Sequence, residues 1–295
     1  MGRLIVGALA ATLLGPGVAA LQAQQVPPQG PAKGPELPLR PQYERGQPVS
    51  PIFEGYYENP DGTWSLSFGF FNRNSEEDLE LALGPSNFIE PAEFDGLQPT
   101  YFPTETNSGY IGRDFGVFTV VVPADFDGDV VWSLTSKGVT HTVPGRVGIE
   151  PYHLASVDQP MGVGSMPPRV KLSADGPEAM GPTGIVAEET LTTSVGEPVE
   201  VRAWAADNFD PQVRESVPVE VQWFKHQGPV GGSVTFSMAE AEVGAAGGWA
   251  TTMATFSHPG AYMLRARIAN FNSRDSDGDD QCCWTNGFVR VDVTE

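Results

Sequence analysis

Acidic side chains, two adjacent cysteines and a neighbouring tryptophan are the residues of this 295-residue chain whose types and spacing could do chemistry. In Asp275-Ser276-Asp277-Gly278-Asp279-Asp280 carboxylates recur at positions one, three and five, as they do in a calcium loop. The sixth position is Asp280 instead of glycine, and no glutamate stands at position twelve. Asp125-Phe126-Asp127-Gly128-Asp129 has similar spacing but lies directly between two strand-like runs, where Asp-Gly reads as a plain turn. A third acidic pair, Asp207 and Asp210, follows another strand-like run. In a seven-strand sandwich the loops after strands two and six share one end. Asp207, Asp210, Asp275, Asp277, Asp279 and Asp280 would then converge on one rim and repel one another. Calcium, which takes about six to eight oxygens, would relieve that repulsion, so these six are the candidate metal residues.

Cys282 and Cys283 are the only cysteines. Adjacent α-carbons lie about 3.8 Å apart, below the usual disulfide span of about 4.4–6.8 Å. The pair closes a strained ring, stays as two thiols, or bridges to another chain, and the residue types leave all three open. With Trp284 they form a candidate binding platform in a loop, against the plainer reading of a stiffened loop covering the sandwich end. Two thiolates alone leave a soft-metal site incomplete. Trp284, Trp249 and Tyr101 are the aromatics to test for stacking on a sugar ring. No Gly-x-Ser-x-Gly elbow, His-Glu-x-x-His pair or Gly-rich phosphate loop occurs, and His141, His153, His226 and His258 are widely separated. The expectation is a non-catalytic protein.

The elements that must hold these residues are strands. Apolar and polar residues alternate in Ile52–Glu58 and Thr63–Asn72, joined by Asn59-Pro60-Asp61-Gly62, whose types fit a tight turn. Trp64, Leu66, Phe68 and Phe70 share one face. A second hairpin is expected between Val117–Val122 and Val130–Thr135. Residues 84 to 114 read as a long loop whose aromatics pack down over the sandwich. Seven further runs follow: within Ile185–Ser194, then Val199–Ala205, Val217–Phe224, Ser233–Ser237, Ala250–Phe256, Ala261–Ala269 and Gly287–Val293. Strict alternation predicts one dry face and one wet face for each. Trp223 falls on the third run and Tyr262 opens the sixth, the places of a buried tryptophan and a tyrosine corner in immunoglobulin-like sandwiches.

Arg3, the apolar stretch Leu4–Leu14 and the small residues before Ala20 and Ala23 read as an export signal over residues 1–23. Its apolar stretch spans about 16 Å as a helix, short of a bilayer core of about 30 Å. Residues 24–48, with Pro27, Pro28, Pro31, Pro35, Pro38, Pro41 and Pro48, read as a disordered spacer. An N-terminal sandwich-like domain over 49–152, a Pro-rich connector over 153–183 and a second sandwich over 184–295 complete the expected all-β, two-module architecture. The formal net charge of −20 repels phosphate backbones and argues against nucleic acid. No later run is apolar enough to span a membrane in the mature chain.

Trp223, Gly228-Pro229, Ser233-Val234-Thr235-Phe236, Ala254-Thr255-Phe256, the turn Pro259-Gly260-Ala261-Tyr262 into Met263-Leu264-Arg265, and Val289-Arg290-Val291-Asp292-Val293 together resemble a PKD-type or related immunoglobulin-like module. Ala269-Asn270 departs from its usual small residue followed by aspartate. With Gln281-Cys282-Cys283-Trp284-Thr285-Asn286, the whole chain is also similar to bacterial secreted proteins, a likeness that implies no activity. The expected role is adhesion, extracellular scaffolding or other non-catalytic binding outside the cytoplasm, periplasmic or extracellular, to a protein or glycan, with calcium as the candidate cofactor. The alternative is a carbohydrate-binding protein or an accessory module of an extracellular hydrolase.

Overall fold

Asp61 anchors the first hairpin, its Oδ1 accepting from the backbone N of Thr63 at 3.0 Å. Gly62, at φ 83°, takes the left-handed position that closes the turn. The computed structural model describes residues 43–106, 112–160, 164–270 and 283–295; the expected signal and most of the spacer lie outside them. The strands of the first half are β1 (Val49–Glu58), β2 (Trp64–Asn72), β3 (Leu79–Glu80), β4 (Asn87–Glu90), β5 (Tyr101–Phe102), β6 (Arg113–Val122), β7 (Val130–Ser136) and β8 (Val139–Gly145). No α-helix occurs among the described residues.

Sheets β1-β2-β6 and β4-β7-β8, with the short pair β3-β5, enclose one core. Leu66, Phe68 and Phe70 point into it as their alternation predicts, against Phe118, Phe102 and Trp132. Each such side chain contributes roughly 1.5–3 kcal/mol by leaving water. The Phe118 and Trp132 rings meet edge to face at 5.0 Å, and the Trp132 indole donates to Asn87 Oδ1 at 3.0 Å. The expected loop over 84–114 contains β4, β5 and the start of β6, and Phe102 is fully buried within it.

The expected pairing of Val117–Val122 with Val130–Thr135 is corrected: β6 pairs with β2, whereas β7 pairs with β4 and β8. Alternation specifies a dry face but not a partner, and the Asp125–Asp129 turn carries the chain from one sheet to the other. In this turn Phe126 packs on Phe94, and Asp129 is paired with Arg146 at 2.6 Å.

The second half adds β9 (Arg169–Lys171), β10 (Ile185–Ser194), β11 (Val199–Ala206), β12 (Val219–Gln227), β13 (Val234–Phe236), β14 (Glu240–Val243), β15 (Gly248–Phe256), β16 (Gly260–Ala269) and β17 (Trp284–Thr294). They form sheets β10-β17-β16-β12-β14 and β13-β15-β11-β9. All seven expected strands are present, and this is an immunoglobulin-like strand order, with its first strand split between the two sheets as β9 and β10. Trp223, Leu264, Ala266, Ile268 and Val291 fill the interior. The Tyr262 hydroxyl donates to His258 O at 2.9 Å, the bond of a tyrosine corner.

One expectation fails at β16 and β17: neither has a wet outer face along its whole length. Met263, Arg265 and Arg267 are buried on the side of β16 facing away from its own core, and Met263 and Phe288 belong to the first core. The first half of the chain covers this sheet. Arg265 pairs with Asp114 of β6 at 2.6 Å, both nearly inaccessible. His226 Nε2 donates to Leu97 O at 2.6 Å, and its ring lies 5.0 Å from that of Phe288. Burial, with the nearby Arg265 charge, pushes His226 down to about 3, so the ring is neutral, with its one proton on the Nε2 that faces Leu97 O. Within β1, Glu54 meets Arg113 through both oxygens at 2.7 Å; burial pushes its carboxyl up to about 7 against the pull of Arg113.

Residues of the expected connector are packed as well. Leu154 and Val157 form a small buried cluster with Tyr57, and the Thr183 hydroxyl hydrogen-bonds with Tyr57 at 2.6 Å and Ser65 at 2.7 Å. Gln42–Glu295 forms one compact unit.

Candidate binding face

The loop stems after β11 and β16 do meet. Asn270, which follows β16, donates to Asp207 Oδ1 at 2.7 Å. Asp207 is buried, and its carboxylate also accepts from both terminal nitrogens of Arg214, at 2.7 and 2.9 Å, and from Val217 N at 2.8 Å. Burial works against its ionisation, but the Arg214, Val217 and Asn270 donors hold it below the usual carboxylate range. The oxygens of Asp207 are thus taken up by protein donors. Asp210 accepts from Gln212 N at 2.8 Å and caps its own turn. Asp275, Asp277, Asp279 and Asp280 lie outside the described residues, and among the described residues no group of three or more His, Cys, Asp or Glu side chains is placed to hold a metal.

Cys283 is buried beside Ala155 and is disulfide-bonded; Cys282 lies outside the described residues. Trp284 is not an open platform, because it is only 1% exposed. Its ring lies beneath the Arg267 guanidinium at 4.7 Å, and its indole N–H points at Gly116 O. The reason is the covered face of β17: a position that alternation sends to solvent is sealed here by the first half of the chain. Tyr101 is half-buried, with its hydroxyl bonded to Asp78 and the Lys225 ammonium 4.9 Å from its ring centre.

Trp249 remains open, at 38% exposure. It stands on the outer face of the β13-β15-β11-β9 sheet, where Val201, Ala203 and Ala205 turn inward and Glu200, Arg202 and Trp204 turn outward. The register sets Trp204 opposite Trp249 on one side and opposite Lys171 on the other. A row Lys171-Trp204-Trp249 therefore crosses three strands, about 10 Å at a strand spacing of about 4.8 Å. The Arg202 guanidinium lies 4.7 Å over the Trp249 ring, and the Lys171 ammonium 5.4 Å from the Trp204 ring. Gly247, at φ +105°, lets the chain pass close by, since a Cβ there would come within 2.5 Å of the Trp204 ring. Arg202 has no carboxylate partner among the described residues, whereas Lys171 and Arg169 have only Glu178, at 3.8 and 3.9 Å. Such long exposed pairs are worth little.

No protein-family profile matches the chain, and no curated protein does either. Among solved structures, domains 4 and 5 of the S-layer protein SbsC align over 77% of this chain and 90% of theirs, at 11% identity and a TM-score of 0.24. The D00-D0 domain of intimin aligns over 82% of this chain and 98% of its own, at 13% identity and a TM-score of 0.26. A longer piece of the same S-layer protein aligns over 83% of this chain and 27% of its own, at 12% identity and a TM-score of 0.23. Superpositions this loose carry nothing about function or place in the cell.

Among the described residues, the cation-aromatic row is an exposed aromatic surface flanked by cations. Indole rings give flat apolar area at low entropic cost, and the flanking cations hold them in place while presenting donors. Trp204 and Arg202 were not singled out by sequence. Alternation in Val199–Ala205 turns both outward, but only the β11–β15 register places Trp204 beside Trp249.

Proposed function

We propose that this is an exported, non-catalytic binding protein that engages a glycan of the cell surface or its surroundings through the outer face of the β13-β15-β11-β9 sheet. The observation that carries this reading is the Lys171-Trp204-Trp249 row with Arg202 over Trp249. Sugar rings present C–H faces that pack on indole, and Arg202 and Lys171 present hydrogen-bond donors to their hydroxyls. The C-terminal sandwich is read here as a PKD-like display module. The test is a glycan array probed with the intact chain and with Trp249→Ala and Trp204→Ala. Each variant loses at least about tenfold in affinity for the glycans that the parent binds, while its melting temperature stays near that of the parent. Unchanged array profiles for both would remove the reading.

A calcium-stabilised loop end is the second reading, favoured by the joined stems at Asp207 and Asn270. Asp210 with Asp275, Asp277, Asp279 and Asp280 would supply the oxygens, and Asp207 would hold the stems. Calcium at millimolar concentration should raise the melting temperature and chelator should lower it; no shift in either direction rejects this site.

A further inference from the structure

The second sandwich has a gap where a strand would lie. β9 pairs with β11 only at Trp204, Ala205 and Ala206. Beyond Lys171 the chain leaves that sheet along residues 172–184 and returns as β10 in the opposite one, parallel to β17. From Val199 to Ala203, β11 therefore has β15 on one side and, among the described residues, no strand on the other. β10 is also an edge strand, and its ladder with β17 is interrupted between Val186 and Thr190. A cleft of about 370 Å³ runs between the two edges. Its floor is apolar, with Leu172, Ile185, Ala187 and Leu191 half-buried against the core. Its rim carries Glu188, Glu189 and Glu200 against the single cation Arg202.

An unpaired edge over an apolar floor invites strand pairing, and the rim charge selects the partner. We infer that the seam accepts an extended peptide segment of a partner protein, alternating apolar and basic residues, as an added strand that continues β9 along β11 from Ala203 to Val199. The β11 backbone supplies the hydrogen-bond ladder over about 17 Å of strand. Alternate apolar side chains descend onto Leu172, Ile185, Ala187 and Leu191, and the intervening basic ones meet Glu188, Glu189 and Glu200. A second copy of this chain is a poor occupant, because a formal net charge of −20 on each copy opposes their approach. The seam adjoins the glycan face and shares Arg202 with it, but its recognition uses backbone edges and needs no sugar.

The intact chain is titrated with three labelled seven-residue peptides: one alternating valine and lysine, one alternating valine and glutamate, and the lysine peptide with alternate backbone nitrogens methylated. The lysine peptide binds and slows hydrogen exchange at the amides of residues 199–203. The glutamate peptide binds at least about tenfold more weakly, and methylation abolishes binding because it blocks the ladder. Reversing two exposed rim charges, Glu188→Lys with Glu189→Lys, weakens the lysine peptide roughly tenfold without touching the core. Binding that survives methylation, equal affinity for the two charged peptides, no binding at millimolar peptide, or unchanged exchange at 199–203 overturns the inference. So does dimerisation that protects the same amides, which assigns the seam to a second copy.

Discussion

At the scale of single residues, burial separates the structural from the recognisable among side chains of the same type. Trp284 and Trp249 are both tryptophans that a sequence reader would test for sugar stacking, yet one is sealed and the other open. Trp284→Ala should cost about 3–5 kcal/mol in urea unfolding, whereas Trp249→Ala should cost no more than about 1. If the two cost the same, the assignment of a covered and an open face is wrong. Asp207 and Asp210 divide in the same way. Removing the Asp207 carboxylate with alanine strands the Arg214 guanidinium and the Val217 and Asn270 donors, an expected loss of about 3 kcal/mol. Asp210→Ala gives up one turn hydrogen bond and should lose about 1 kcal/mol. The sequence could place both aspartates at a loop rim, but not reveal that one of them already has an arginine seven residues on.

At the scale of elements, period-two alternation was a good guide to strands and a poor one to their surroundings. Trp223, Tyr262, Leu264 and Val291 lie inside as their rows predict. β9 and β14 went unread because the first is three residues long after a proline pair, and the second, Glu240–Val243, is glutamate and alanine at a sheet edge. The misjudged hairpin of β6 and β7 has the same origin, since nothing local names a strand's partner. Met263 makes the sharpest case. Alternation turns it away from Tyr262 and Leu264 and hence towards water, but the structure buries it in the first core. A wet position would accept Met263→Lys at little cost. Burial of an unpaired ammonium beside Phe288, near Arg265, predicts a loss of about 3 kcal/mol or more by chemical denaturation.

At the scale of the whole molecule, the covered sheet joins the two halves of the compact unit through buried polar groups, and His226 makes that junction sensitive to acid. The folded ring takes up its second proton only below about 3, whereas in the unfolded chain it does so near the ordinary 6.5. As pH falls below about 6.5 the unfolded state takes up a proton that the folded state refuses. The stability tied to His226 is therefore fully present above about 6.5 and drains away towards about 3, by up to about 1.4 kcal/mol per pH unit. Glu54 runs the other way: its raised folded value of about 7 means the folded state binds the extra proton, so its contribution is greatest below about 4.5 and is lost as pH rises through about 7. A curve for the parent chain mixes these opposed slopes, so the informative quantity is a difference. His226→Gln keeps a donor for Leu97 O but cannot titrate. Its stability relative to the parent should improve by about 2 kcal/mol between pH 6.5 and pH 4.5, read from urea midpoints at each pH. A difference that stays flat across that window would mean that His226 is charged or open to water, and the two halves would then not be sealed against each other as the Arg265–Asp114 pair requires.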